Sequence, residues 1–135
     1  MLTLKLQIGK TQKKLPDGEI IFNDQSIHRG SFDKDVFKLN PVVGKNTLQI
    51  SLSNKKDTDT IIKGNQITED VYVKVIDISC DTTKDSVGHL DTIGNYKTQK
   101  GEDLKTYGFL SYNGTYSFVF DYPFFVFQRN KIFYQ

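Results

Sequence analysis

The sequence predicts an all-β chain folded as an antiparallel β-sandwich, with a jelly roll as the preferred winding and an immunoglobulin-like sandwich as the second choice. Three observations carry this. The apolar set suits a sheet: ten Phe, seven Tyr and abundant Ile, Leu and Val, but no alanine and no tryptophan. The best helix former is therefore missing while strand formers dominate. At least seven segments read as strands between turn signals, and none predicts a helix longer than a turn or two. The clearest segment, Asn46 to Asn54, alternates strictly, with Leu48, Ile50 and Leu52 on one parity and Thr47, Gln49, Ser51 and Ser53 on the other.

Taken in order, Leu2, Leu4, Leu6 and Ile8 share one face of a first strand that Gly9-Lys10 ends. Leu15-Pro16-Asp17-Gly18 is a turn in which Pro presets one backbone angle and Gly takes a positive one. Glu19 to Phe22 is a short strand, and Asn23 to Ser26 a polar connection. Ser31 to Leu39 fits an irregular strand or a brief turn, and Asn40-Pro41-Val42-Val43-Gly44 feeds the alternating segment. Ile61-Ile62 and Gly64-Asn65 predict a small hairpin or arm returning at Gln66-Ile67. Val71 to Ile78 is β-branched at nearly every step and apolar on both faces in part, which suits a strand in the middle of a sandwich. Asp81 to Gly101 reads as a long polar excursion, of the kind that binds something or packs on a neighbour.

Asn113-Gly114 between two alternating runs is a strong two-residue hairpin signal. It predicts Phe109 opposite Phe118 and Tyr107 opposite Phe120, which gathers Tyr107, Phe109, Tyr116, Phe118 and Phe120 on one face. Leu110, Tyr112, Thr115, Ser117 and Val119 take the other. Asp121-Tyr122-Pro123 breaks that strand, and Phe124 to Phe127 resumes it.

A chain of 135 residues is long enough to bury a core without staples and is read as one domain, 1–135. Eighteen basic residues against sixteen acidic ones give a net charge of +2 with the signs interspersed. That distribution argues against a nucleic-acid partner, which needs a basic excess on one face. No segment predicts a membrane span, and the amino terminus alternates instead of forming the apolar run of a signal peptide. The protein is therefore expected to be made in a cytoplasm and to stay soluble.

Few residues carry chemistry. Asn54, Asp57 and Asp59 place oxygen ligands of the type calcium prefers at short spacing in one loop, although Ile61 and Ile62 stand where an EF-hand has its third acid and its glycine. A solvated charged loop explains the same residues. Asp77 to Asp81 fails the motif in the same way. Tyr96, Tyr107 and Tyr112 are the candidate sugar-stacking aromatics, against a core role for most aromatics at this parity. The single Cys80 is expected to be a buried, inert thiol. His28 and His89, the only imidazoles, match no two-His metal pattern. No nucleophile elbow or phosphate loop occurs, and no carboxylate pair stands out, so the chain is not expected to be an enzyme. Asn113-Gly114-Thr115 is formally a glycosylation sequon that its turn role already explains.

Gly44-Lys45-Asn46-Thr47-Leu48-Gln49-Ile50 resembles the Gly-x-Asn-Thr-Leu/Ile turn and strand of jelly-roll domains of the galactose-binding and carbohydrate-binding-module type. Leu52-x-Asn54-Lys55-x-Asp57-x-Asp59-Thr60, Val73-x-Val75-x-Asp77-Ile78 and Tyr112-Asn113-Gly114-x-Tyr116-x-Phe118 look like a group of small proteins of marine tailed phages. Those proteins are similar to carbohydrate-binding modules and are regarded as virion components. The likeness covers residues 40 to 125 in pieces, with Tyr116 where a related chain usually places Trp. It implies a non-enzymatic virion structural protein, a capsid decoration or a tail- or fibre-associated component, whose partners are other virion proteins or itself. The alternative it implies is a calcium-dependent carbohydrate-binding module for a host surface glycan, with Asp57 and Asp59 holding the ion. A small β-sandwich enzyme ranks third.

Overall fold

The structure, a computed structural model, describes residues 1–11, 14–56, 59–83, 94–99, 101–105, 109–110 and 112–124. Twelve strands are described: β1 (Leu2–Gly9), β2 (Asp17–Phe22), β3 (Gln25–Ser31), β4 (Val36–Leu39), β5 (Gly44–Leu52), β6 (Ile61–Lys63), β7 (Gln66–Glu69), β8 (Tyr72–Cys80), β9 (Asn95–Thr98), β10 (Asp103–Lys105), β11 (Phe109–Leu110) and β12 (Gly114–Tyr122). One sheet has the order β11-β8-β1-β4 and the other β10-β9-β12-β5-β2-β3, while β6 and β7 form a hairpin of their own. Every pairing is antiparallel. The two sheets pack face to face as the expected sandwich; its jelly-roll winding stays an expectation.

The core lies between the sheets and follows strand parity. Leu2, Leu4 and Leu6 of β1, Leu48, Ile50 and Leu52 of β5, and Tyr116, Phe118 and Phe120 of β12 are all buried. β5 is paired on both sides along most of its length, to β12 and to β2. Its outward Thr47, Gln49 and Ser51 are consequently half-buried among neighbouring strands.

Four expectations are corrected. The two apolar parities of β8 are not two buried faces. The register slips where Lys5 pairs Asp77 but Leu6 pairs Val75, leaving Ile76 as an extra residue. Such a bulge flips parity: Val73 and Val75 are buried before it, Ile78 and Cys80 after it, and Ile76 is 44% exposed. The supposed polar connection at Asn23-Asp24 is a tight turn, with positive φ at both residues, 50° and 65°. Phe22 pairs Gln25 across it, and the Asn-Asp pair tolerates the left-handed region that such hairpin turns require. Within the supposed excursion, β9 pairs with β12 and buries Tyr96; residues 84–93 lie outside the described residues.

The largest correction concerns Asn113-Gly114. β11 pairs with β8 in one sheet, whereas β12 begins at Gly114 in the other. The dipeptide is a crossing between sheets, and Leu110, expected on the outer face, is buried. Tyr107 and the side chain of Phe109 lie outside the described residues, as do residues 125–127 of the expected last strand. Gly114 is required here for proximity. A Cβ at Gly114 would stand 2.4 Å from the Lys97 carbonyl oxygen and 2.8 Å from Thr98 Cα. Gly114→Asn discriminates the two roles, because a hairpin turn accepts Asn at its positive-φ position. The expected outcome is a loss of about 1–3 kcal/mol from forced overpacking, read as a lower denaturant midpoint at unchanged m-value; an unchanged midpoint would restore the hairpin.

Candidate functional site

Hydrogen bonds and ion pairs gather around the described part of the loop after β5 and the foot of the β6–β7 arm that follows it. Asn54 Oδ1 accepts the Asp17 amide at 2.8 Å and its Nδ2 donates to the Leu15 carbonyl at 3.1 Å. Lys55 is clamped at its backbone: Asn113 Nδ2 donates to the Lys55 carbonyl and Asn113 Oδ1 accepts the Lys55 amide, each at 2.8 Å. The Lys55 ammonium reaches Asp70 at 2.7 Å, with side-chain exposures of only 10% and 16%, and Thr60 Oγ1 donates to the same carboxylate at 2.8 Å. Asp70 sits at the far foot of the arm, so these two bonds tie the feet of β6 and β7 together.

Asn54 and Asp59, two of the expected calcium ligands, are both engaged, and Asp57 lies outside the described residues. Asp59 is 8% exposed. Its Oδ2 accepts from Lys14 Nζ and from the Lys56 amide, and Lys14 also donates to the Asn54 carbonyl at 2.9 Å. Burial pushes the Asp59 carboxyl up, but hydrogen bonds from Lys14 and Lys56 and the charges of both lysines outweigh it and hold it below the usual range. A lysine ammonium thus already neutralises one of the two acids expected to hold an ion. Among the described residues no group of three or more His, Cys, Asp or Glu is arranged to hold a metal.

The tyrosines are not gathered into a platform. Tyr96 is 1% exposed, a correction to its expected role as a stacking surface. Burial drives its hydroxyl up to about 12; the group lies by the Tyr112 backbone without a well-formed hydrogen bond. Tyr112 is 62% exposed, with the Lys55 ammonium 5.9 Å from its ring centre. Tyr107 lies outside the described residues.

Cys80 is buried as expected but not neutral in its surroundings. Hydrogen bonds from the side chains and amides of Thr82 and Thr83 hold its thiol down at about 6, with Thr82 Oγ1 at 3.4 Å. Near it, Asp81 bonds Thr3 and takes Lys38 at 3.1 Å; the Thr3 bond leads in holding that carboxyl low. These groups close the edge of the sandwich where β1 starts.

Two surface features escaped the sequence. The arm carries Ile62 and Ile67, cross-strand partners each 62% exposed. An open groove of about 720 Å³ runs beside β1, between the β1–β2 connection and the segment linking β3 to β4. The Gly64-Asn65 signal revealed the hairpin, but nothing in a nine-residue pattern says whether another element covers its apolar face. Comparison with protein-family models, curated proteins and solved structures found no match to the chain.

Asp59 gives a pH test. Its folded pKa is depressed, so its contribution is complete above the unfolded-state value of about 4 and is lost as pH falls through the lower folded value. Asp59→Asn is expected to cost about 1–2 kcal/mol at neutral pH, as for a hydrogen-bonded charge that loses its partner, and to flatten the fall in stability below about pH 4. Urea midpoints across that range, with and without calcium, check it. A calcium-dependent rise abolished by Asp59→Asn would instead make Asp59 a ligand.

Proposed function

We propose that the protein is a non-enzymatic structural component of a tailed-phage particle, a decoration or a tail- or fibre-associated protein that acts through protein contacts. The observation that supports this reading most is the arm: an apolar pair displayed at 62% exposure on a hairpin anchored at its feet by Lys55, Thr60 and Asp70. Exposed apolar residues grouped on a projecting element suit a contact surface. Two carboxylates held below their usual range are engaged in holding connections together, Asp59 with Lys14 and Asp81 with Thr3 and Lys38. The resemblance across residues 40 to 125 points to the same setting.

Purified particles from an infected host, analysed by mass spectrometry after density-gradient separation, test the proposal. The chain is expected at a fixed ratio to the major structural proteins; particles that never contain it would sink the reading.

One observation favours a second reading, glycan binding. Tyr112 offers an exposed ring beside a buried cation, although Asn54 and Asp59 are occupied by Lys14, Asp17 and backbone groups. On this reading glycan-array binding is independent of chelator and falls about tenfold or more in Tyr112→Ala, as for loss of a single stacking aromatic. An array with no signal for the unmodified protein excludes it.

A further inference from the structure

The arm and the groove lie at the same end of the molecule, and their chemistry matches. A Cβ on Gly9, at the end of β1, would stand 2.8 Å from the Asp70 carbonyl oxygen, so the foot of the arm adjoins the end of the groove. β4 covers β1 only from Leu2 to Lys5, and the last bond on that side is from the Leu6 amide to the Asp35 carbonyl at 2.7 Å. By the alternation of a ladder, the N–H and C=O of Ile8 point to the same side as the Leu6 amide. There they meet no further strand among the described residues. Among the described residues the groove therefore presents a short unpaired edge at Ile8, and such an edge is a template for another strand.

The lining supplies some apolar surface and charge of both signs. The half-buried Ile8 and Leu15 lie along it above the buried Leu6 and Phe32, and the bulge pushes Ile76 out to its rim at 44% exposure. On one lip Asp33 and Asp35 are exposed and neither forms an ion pair among the described residues, while Lys34 between them is turned onto the Phe37 ring at 4.9 Å; the exposed Lys5 and Lys10 line the groove on the β1 side, so only the Asp33–Asp35 lip is acidic. The arm offers the complement: two short strands, the apolar pair Ile62 and Ile67, and the exposed Lys63 beside the tip.

We propose that two copies of this chain exchange arms about a two-fold axis, the β6–β7 hairpin of each pairing with the bare β1 edge of the other. Ile62 and Ile67 then cover Ile76 and the apolar lining, and Lys63 faces Asp33 and Asp35. Because arm and groove share one end, each copy gives one arm and receives one, and the contact closes at a dimer instead of growing into a fibre. The inference rests on the contact reading above and names its partner as a second copy.

Sedimentation velocity and light scattering, from about 1 μM to about 1 mM, read it directly as a concentration-dependent dimer in the range where modest interfaces assemble. Ile62→Asp, Ile67→Asp and Ile76→Asp alter exposed side chains, so each is expected to keep the native circular dichroism and to weaken the dimer at least about tenfold, as for central apolar contacts. Lys63→Glu weakens it too, and Asp33→Lys with Asp35→Lys restores it. This swap keeps the test sharp should an isoleucine variant fail to fold. A monomer throughout, a dimer indifferent to the arm, or a dimer that responds to the arm but not to Ile76 or the Asp33 and Asp35 swap overturns the proposal. Recovery of particles separates the two readings: monomeric protein still incorporated defeats arm exchange alone, while a dimer never found in particles defeats the virion reading alone.

Discussion

Three asparagine side chains stand in for backbone at places where the chain leaves its ladders, and the connections between the sheets depend on them. Asn46 accepts the Val42 amide and donates to the Val42 and Gly44 carbonyls. Asn54 joins the end of β5 to Asp17 and Leu15, and Asn113 grips both backbone groups of Lys55. A primary amide carries the same donor and acceptor as a peptide group, so it can satisfy an irregular segment where no strand is available. Asn46 is fully buried, and there an unmet backbone group would cost about 1–3 kcal/mol.

Three of the singled-out sequence features are these clamps. Gly-Lys-Asn-Thr, the supposed calcium ligand Asn54 and the supposed hairpin and sequon Asn113 were each noticed for a different reason. For Asn113 and Asn54 this use was not legible, because it depends on partners far along the chain: Asn113 meets a residue 58 positions away and Asn54 one 37 away, whereas Asn46 bonds locally to Val42 and Gly44. Legible without a partner were the features with short period. The alternation of β1, β5 and β12, the Gly64-Asn65 arm and the sandwich class follow from local pattern and composition. Where the pattern misled, a second local rule had intervened: the bulge at Ile76 reversed parity within β8, and proximity to Lys97 and Thr98 claimed Gly114.

Glycine shapes the same end of the larger sheet. Gly18 and Gly114 face Leu52 from its two sides. A Cβ on Gly18 would stand 1.8 Å from the Ser51 carbonyl oxygen. With side chains absent on both flanks, the strands can close at that end around β5. The loop after β5 emerges from between them already within reach of Asp17 on one side and Asn113 on the other. Positioning of the arm is thus a consequence of how the sheet ends, and the sequence around Ile61 contains no trace of it.

An isolated two-stranded hairpin is marginal in water, so the arm needs help from its surroundings. Its own bonds include Thr68 Oγ1 to the Ile61 carbonyl at 3.2 Å, with Lys55 and Thr60 binding Asp70 at its foot. These fix the base and leave the tip, with Ile62 and Ile67, in solvent. Leaving two isoleucines exposed forgoes about 1.5–3 kcal/mol each relative to burial, and among the described residues β6 and β7 pair with no strand but each other. The three features become mutually consistent once the tip is covered by apolar surface beside a bare edge. The groove along β1 combines those properties, and Ile76, displaced outward by the bulge, puts an apolar side chain on its rim. The irregularity that confused the parity of β8 is then the same one that completes the surface the arm requires.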